Sequence, residues 1–134
     1  MHYLYSKKKK LLHIFFKYKK KISNKNLTPK NQFLQASIFK FDKDKVIKPH
    51  FHLSHKVLQK KRKIQESWLL FRGQAKIYYY DEKKKLLKSF IMKPGDISIS
   101  FSGGHKLEIQ KKNTIIYEFK TGPYKGSIKD LKYF

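Results

Sequence analysis

The chain contains no cysteine, and this absence excludes several classes of protein. A disulfide scaffold, a cysteine-ligated zinc site and a thiol nucleophile all require residues that it lacks. Long hydrophobic runs are also missing. The apolar stretch at residues 11–16 is far shorter than the roughly 20 residues of a membrane-spanning helix. Lysines follow that stretch immediately, and no small-residue cleavage site is present. We therefore expect no secretory signal and a cytoplasmic protein.

Acidic residues are scarce, with 9 against 33 lysines and arginines, and the formal net charge is +24. This imbalance favours an anionic partner, either nucleic acid or an anionic membrane surface. A solvated, lysine-rich surface is equally compatible with it. The 134 residues suffice for one domain with its own core. A hydrophobic fraction of 40% makes the chain too apolar to be wholly disordered.

The first 28 residues differ from the rest, because they are lysine-rich and contain no glycine, proline or acidic residue. Their apolar residues have a partly helical spacing, at Leu11, Leu12, Phe15 and Phe16. One interpretation is a basic amphipathic helix that rests on a membrane or a partner. The other is a mobile N-terminal arm or a packing helix. We expect this segment to make no essential core contact. We divide the chain into a basic arm or helix at 1–28 and a β domain at 29–134.

Beyond residue 31, apolar and polar residues alternate with period two, which is typical of half-buried strands. Turn residues interrupt the alternation about every ten residues. Ile97, Ile99 and Phe101 alternate with serines most clearly, and we expect these three apolar side chains to face the core. Antiparallel strands at this spacing predict an all-β, double-sheet jelly roll. The strands are predicted near 33–41, 46–53, 65–72, 74–80, 85–92, 96–101, 105–110 and 114–120.

Two histidines occupy neighbouring same-face positions on one predicted strand. His50 and His52 are two residues apart, so their side chains point to one face, and Phe51 lies on the other. His55 has the opposite parity and joins them only if the strand breaks at Ser54. The pair can therefore present two imidazoles to one pocket.

A carboxylate and a third histidine complete the candidate site. Glu66 opens an apolar strand and shares a face with Trp68 and Leu70, where an unpaired charge would be costly. His105 directly follows a Gly-Gly turn. Two or three imidazoles with one carboxylate suit iron, manganese, nickel, cobalt or zinc. The sequence therefore predicts a divalent transition metal in the cavity.

The order of these residues resembles the cupin superfamily over residues 33–121. His50-Phe51-His52, with Glu66 and Gly73 after it, is similar to the first cupin motif. The second motif corresponds to Pro94-Gly95-Asp96 with the later Gly104-His105. The resemblance implies a small jelly roll. It maps four residues onto the cupin metal ligands, namely His50, His52, Glu66 and His105. The gap between His52 and Glu66 is longer than usual, and we expect the inserted residues 56–63 near the pocket mouth.

The cupin resemblance leaves three functional classes open, because a fold alone does not define a reaction. The first is an enzyme. With a metal it is a dioxygenase or an isomerase, and without one it is a sugar or sugar-nucleotide isomerase or epimerase whose His50 or His52 carries the proton. Residues 120–126 loosely resemble small cupins linked to surface-polysaccharide genes. The second class is a non-catalytic cupin that binds a small ligand, and the third is a lysine-rich polyanion-binding protein.

The composition favours an anionic ligand in all three classes. The aromatic strand faces are compatible with a homodimer. Glu118 is a weaker pocket candidate, and we expect it instead to be a surface partner of a lysine.

Overall fold

The computed structural model describes residues 1–57, 60–123 and 125–134. In these ranges the chain forms fourteen strands and one four-residue helix. No helix within them is long and apolar enough to cross a membrane. In chain order the elements are β1 (His2–Tyr5), β2 (Leu11–Phe15), β3 (Lys25–Asn26), β4 (Leu34–Phe41), β5 (Val46–His52), β6 (Ser54–Val57), β7 (Lys60–Lys63), β8 (Glu66–Arg72), β9 (Ala75–Tyr80), β10 (Leu86–Met92), β11 (Ile97–Ser100), β12 (Gly104–Ile109), β13 (Thr114–Thr121), α1 (Ser127–Asp130) and β14 (Leu131–Tyr133).

Two five-stranded antiparallel sheets form the body of the molecule. Their strand orders are β10-β9-β12-β5-β14 and β11-β8-β13-β4-β3. All eight strands predicted from the alternation are present, as β4, β5 and β8 to β13, so the prediction of an all-β double-sheet fold is confirmed. Apolar side chains from both sheets meet between them and form the main core, which contains Trp68, Leu70, Ala75, Ile77, Met92, Leu107, Ile109 and Ile116.

The corner between β8 and β9 requires a glycine. Gly73 has a φ of 95°, in the left-handed region that other residues avoid. A Cβ at this position would lie 2.2 Å from Thr114 Oγ1. That hydroxyl accepts a hydrogen bond from the Gln74 backbone N–H at 3.3 Å. The missing side chain therefore lets the corner pack directly against β13.

The N-terminal arm contains strands where the sequence pattern suggested a helix. β1 and β2 form an antiparallel hairpin, because they pair with each other. The arm also contacts buried residues of the sheet, which the sequence pattern did not predict. Phe16, Tyr18 and Ile22 pack against the buried Ile38 and Ile115 on the outer face of the β4–β13 pair. β3 pairs with β4, so this sheet begins on the N-terminal side of residue 29.

Strand β11 keeps the predicted alternation but has the opposite orientation. The side chains of Ile97, Ile99 and Phe101 are 58%, 53% and 63% exposed, whereas Ser98 is 3% exposed. The prediction that the apolar residues face the core is therefore wrong. Partners inside the barrel explain the inversion, because the Ser98 hydroxyl accepts a hydrogen bond from Tyr79 Oη at 2.8 Å. A buried hydroxyl with a partner carries little of the cost of an unpaired one.

Candidate metal centre

The strand β5 places two histidines on the inner face of the barrel. His50 and His52 are both buried, and their ring centroids are 5.2 Å apart. Phe51 points to the other side and stacks on Phe134, with ring centroids 4.7 Å apart. The two histidines therefore share one face of the strand and Phe51 lies on the other, as the alternation predicts. The side chain of His55 lies outside the described residues, as do positions 58 and 59 in the segment inserted after β5.

Two further strands bring the other candidate ligands to the same point. Glu66 begins β8 with its side chain on the buried face that also carries Trp68 and Leu70, and it is 4% exposed. His105 lies on β12 directly opposite His50 in the strand register. Its ring also packs against the Trp68 indole, with centroids 4.6 Å apart. All four predicted residues therefore lie in one buried cluster.

The ligand atoms of these four side chains converge. His105 Nε2 lies 3.1 Å from His50 Nε2 and 3.3 Å from His52 Nε2. Glu66 Oε2 lies 3.1 Å from His105 Nε2 and 3.2 Å from His52 Nε2. One ligand atom from each of the four residues lies within 4.8 Å of the others. Ligands at right angles and about 2.1 Å from a metal are about 3 Å apart, so the spacing fits a shared divalent ion.

Hydrogen bonds behind two of the rings fix their orientation, with Nε2 of each ring toward the centre. His50 Nδ1 donates to the Lys48 carbonyl at 2.7 Å, so the neutral ring has a bare Nε2 facing the cluster. Burial, followed by the charge of His105, lowers the pKa of His50 to about 4. His105 Nδ1 hydrogen-bonds to Ser100 Oγ at 2.8 Å. Such outer contacts fix the ring orientation that metal ligation requires.

The carboxylate of Glu66 is ionised, and its charge faces the imidazoles. Burial alone would raise the pKa of Glu66, but its contacts with His105 and His52 outweigh burial and hold it well below the usual range. Among the described residues, no aligned hydrogen bond satisfies Glu66 Oε2 or His52 Nδ1. One imidazole proton can bridge only one of the close contacts at a time. A cation could satisfy all four donor atoms together, so the cluster could bind a metal.

A second carboxylate extends from β13 beside this cluster. Glu118 Oε2 accepts a hydrogen bond from Trp68 Nε1 at 3.3 Å, and its Oε1 lies 3.4 Å from Lys120 Nζ. Burial, followed by the negative charge of Glu66, raises the pKa of Glu118 to about 7. The predicted lysine partner is present, but the side chain of Glu118 is only 13% exposed. The alternation alone did not mark it as inward, because Ile115 and Ile116 have opposite parity and are both buried.

An opening next to His52 is rimmed by positive charge. A cavity of about 300 Å³ is lined by His52 together with Phe51, Leu53, Ser54, Lys63, Glu82, Lys84, Ser102 and Lys132. Three of these residues are lysines and one is acidic. A larger groove of about 420 Å³ lies between the arm and β4, is mostly apolar, and contains none of the four candidate ligands. The cavity at His52 therefore lies beside the candidate metal centre.

Proteins similar to this chain were found by structure and not by sequence. No protein-family model and no curated protein sequence matches it. CapF, a capsular polysaccharide assembling protein from Staphylococcus aureus, superposes with a TM-score of 0.67 and 10% identity over 91% of this chain and 34% of its own. KdgF from a Halomonas species superposes with a TM-score of 0.60 and 15% identity, over 78% of this chain and 81% of its own. Oxalate decarboxylase from Lactobacillus farciminis superposes with a TM-score of 0.54 and 17% identity, over 77% of this chain and 27% of its own.

These similarities concern the fold, because the identities are low. CapF, KdgF and oxalate decarboxylase are cupin-fold proteins, and this chain has the same fold. The chain spans about a third of CapF and about a quarter of oxalate decarboxylase. The resemblance seen in the two sequence motifs is thereby confirmed as a cupin jelly roll.

Proposed function

We propose that this protein is a metal-dependent cupin enzyme that isomerises or epimerises a small anionic sugar derivative. The observation that carries the proposal is the convergence of His50, His52, His105 and Glu66, whose facing ligand atoms are 3.1–3.3 Å apart in four pairs. These residues would hold one divalent ion of iron, manganese, nickel, cobalt or zinc. The bound ion supplies a Lewis acid that polarises a substrate oxygen.

Glu118 is the proton carrier in this proposal. Isomerisation beside a carbonyl requires a group that removes a proton from carbon and returns it. A carboxyl whose pKa is raised to about 7 is present in both protonation states near neutral pH. The hydrogen bond from Trp68 fixes one carboxylate oxygen, and Lys120 contacts the other. His50, with a pKa of about 4, is a weaker base at that pH.

The lysines at the cavity beside His52 support an anionic substrate. Lys63, Lys84 and Lys132 line that cavity, and lysine side chains attract carboxylate and phosphate groups as compact charges. The names of two structural neighbours agree with the substrate class. CapF is named for the assembly of capsular polysaccharide, and oxalate decarboxylase for a small dianion. Together these observations support a sugar that carries an acidic group.

The test combines metal analysis with hydrogen exchange. Purified protein is assayed for bound metals by mass spectrometry and then incubated in D₂O with a panel of uronates, sugar phosphates and nucleotide sugars. Proton NMR measures the loss of the signal next to the carbonyl. We expect about one divalent ion per chain and exchange in at least one member of the panel.

Two matched variants make the test specific to the proposed base. Glu118→Gln should lower the exchange rate at least 100-fold and keep the metal. Glu108→Gln should change neither, because Glu108 pairs with Lys106 and Tyr78 away from the centre. Metal and ligand binding without exchange would show a non-catalytic binding protein instead. A chain that binds no metal would contradict the proposal.

A further inference from the structure

The hairpin of the N-terminal arm is largely exposed to solvent. All four residues of β1 are exposed, as are three of the five residues of β2. The other two, Leu11 and Ile14, are half-buried and line the groove between β2 and β4. The residues after β2 hold the hairpin in place, because Phe16, Tyr18 and Ile22 pack against the sheet. The hairpin is therefore anchored to the barrel and still open to a partner.

Large apolar side chains are exposed on this hairpin. Five of them are 44–60% exposed, and we call them the arm patch: Tyr3, Leu4, Tyr5, Leu12 and Phe15. A cluster of exposed apolar side chains marks an interaction site. Tyrosine, phenylalanine and leucine are also the side chains that enter the boundary between lipid headgroups and acyl chains, where their apolar parts leave water.

Lysines flank the arm patch along the chain, and no acidic residue near them in the sequence offsets their charge. The turn between β1 and β2 carries four consecutive lysines, at 7–10, and hydrogen bonds of Ser6 close it. Four more lysines follow β2 within residues 17–21, and all eight are exposed. The first acidic residue of the chain is Asp42. Each lysine close to an anionic bilayer strengthens binding about fivefold.

We propose that the arm docks this protein on an anionic phospholipid surface, with the arm patch among the headgroups and the lysines against the lipid phosphates and carboxylates. The two features act together, because a single apolar anchor holds a bilayer weakly and a basic segment adds the second attraction. Among the described residues that line the cavity beside His52, none belongs to the arm, so docking covers none of them. Docking of this kind is independent of the reaction in the barrel.

A nucleic acid fits this surface less well than a bilayer does. Its phosphates would contact the lysines and its bases could stack on Tyr3 and Tyr5, but Leu4 and Leu12 would stay in water. The arm also contains no arginine, the residue that binds phosphates and base edges with two hydrogen bonds at once. A surface with both negative charge and an apolar interior uses the lysines and the whole arm patch together.

The test is sedimentation of the full chain with lipid vesicles. In about 0.1 M NaCl the protein should bind vesicles of phosphatidylcholine with about 30 mol% phosphatidylserine, and it should bind pure phosphatidylcholine vesicles roughly 100-fold more weakly. Raising the NaCl concentration to about 0.5 M should weaken binding to the anionic vesicles roughly tenfold or more, because the Debye length falls from about 10 Å to about 4 Å.

Two matched pairs of lysines test where the charge acts. Lys8→Gln with Lys9→Gln, in the turn between β1 and β2, should weaken vesicle binding roughly 20-fold. Lys111→Gln with Lys112→Gln is the control, because it removes the same charge from exposed residues in the turn between β12 and β13. The control should weaken binding less than about threefold, since salt screens charges that lie more than about 10 Å from the bilayer.

A second set of variants tests whether the arm patch enters the bilayer. Leu4→Ser with Phe15→Ser should weaken vesicle binding roughly tenfold, because apolar surface no longer leaves water. Leu86→Ser with Leu87→Ser is the control, since these leucines are 51% and 64% exposed on β10, and it should leave binding unchanged. Circular dichroism verifies that each variant is folded.

Three results would overturn the proposal. The first is no binding to the phosphatidylserine vesicles, and the second is an equal loss in the two lysine pairs. The third is binding that requires Lys8 and Lys9 but not Leu4 and Phe15. If a single-stranded oligonucleotide then bound more tightly than the vesicles with that same dependence, the arm would be a nucleic-acid-binding segment instead.

Discussion

Two buried groups near the candidate centre should give opposite pH dependences of stability, and one substitution should separate them. The groups are His50, whose pKa is lowered to about 4, and Glu118, whose pKa is raised to about 7. Replacing Glu118 by glutamine removes one ionisable group and retains an oxygen that can accept the hydrogen bond from Trp68. The experiment uses metal-free protein in chelator, because a bound ion would dominate the titration of His50.

The sign of each contribution follows from which state binds more protons. Below its ordinary pKa of 6.5, His50 is protonated in the unfolded chain but not in the folded one. Its contribution is fully present above pH 6.5 and is lost as the pH falls toward 4. Between pH 4.5 and 7, Glu118 is protonated in the folded chain and ionised in the unfolded one. Its contribution is present below pH 4.5 and is lost as the pH rises through 7.

The two contributions have similar magnitudes, since each pKa differs from its ordinary value by about 2.5 units. At about 1.4 kcal/mol per unit, each amounts to about 3.5 kcal/mol. They largely cancel in the unaltered chain between pH 4.5 and 6.5. Glu118→Gln should therefore lose about 3 kcal/mol of unfolding free energy between pH 7 and pH 4, whereas the unaltered chain changes much less.

Urea unfolding followed by the fluorescence of Trp68, the single tryptophan, measures this difference directly. Midpoints at pH 4, 5, 6 and 7 give the slope of stability against pH for each protein. Glu108→Gln is the control. Because Lys106 and Tyr78 lower the pKa of Glu108, its contribution is lost only as the pH falls below about 4.5, and above pH 5 the slope should match that of the unaltered chain. If Glu118→Gln and the unaltered chain had parallel slopes, then Glu118 would not be a buried, proton-binding group and the argument would fail.

Three further changes test separate parts of the structure. His52→Ala should abolish metal retention and leave the circular dichroism spectrum unchanged; a retained ion would exclude His52 as a ligand. Deleting residues 1–24 should lower the free energy of unfolding in urea by a few kcal/mol, since Phe16, Tyr18 and Ile22 are partly buried against the sheet and burying a large apolar side chain contributes about 2 kcal/mol; an unchanged midpoint would show that the arm is dispensable. Gly73→Ala should cost at least about 2 kcal/mol in thermal unfolding, because its Cβ would meet Thr114 in a strained backbone; a loss below about 0.5 kcal/mol would contradict the packing at that corner.

The barrel strands and the centre were predictable because their signals are local. Period-two patterning between turn residues predicts all eight barrel strands, and the structure agrees within one or two residues at most boundaries. The parity of His50 and His52 follows from strand geometry alone. His105 and Glu66 reach these histidines only through the order of the strands in the two sheets. The alternation of side chains does not determine that order. The cupin resemblance supplied that order.

The arm was harder to predict because tertiary contacts determine it. Leu11, Phe15 and Phe16 have a spacing that suits a helix weakly, and lysines interrupt any strand alternation. β1 and β2 form because they pair with each other, and Phe16 packs against buried residues of the sheet. The inward position of Glu118 was missed for a related reason. A single acidic residue on a strand usually marks the solvent side, and only its neighbours on β8 show that this face is internal.

Strand β11 has the clearest alternation in the chain, and its orientation is the prediction that fails. Period two determines which side chains share a face, and it leaves open which face is inside. Hydrophobicity normally decides and would place the isoleucines inward. Here the barrel interior offers partners for hydroxyl groups, Tyr79 for Ser98 and His105 for Ser100, so burying the serines costs little. The isoleucines must then face outward, where contact with water is unfavourable until another surface covers them.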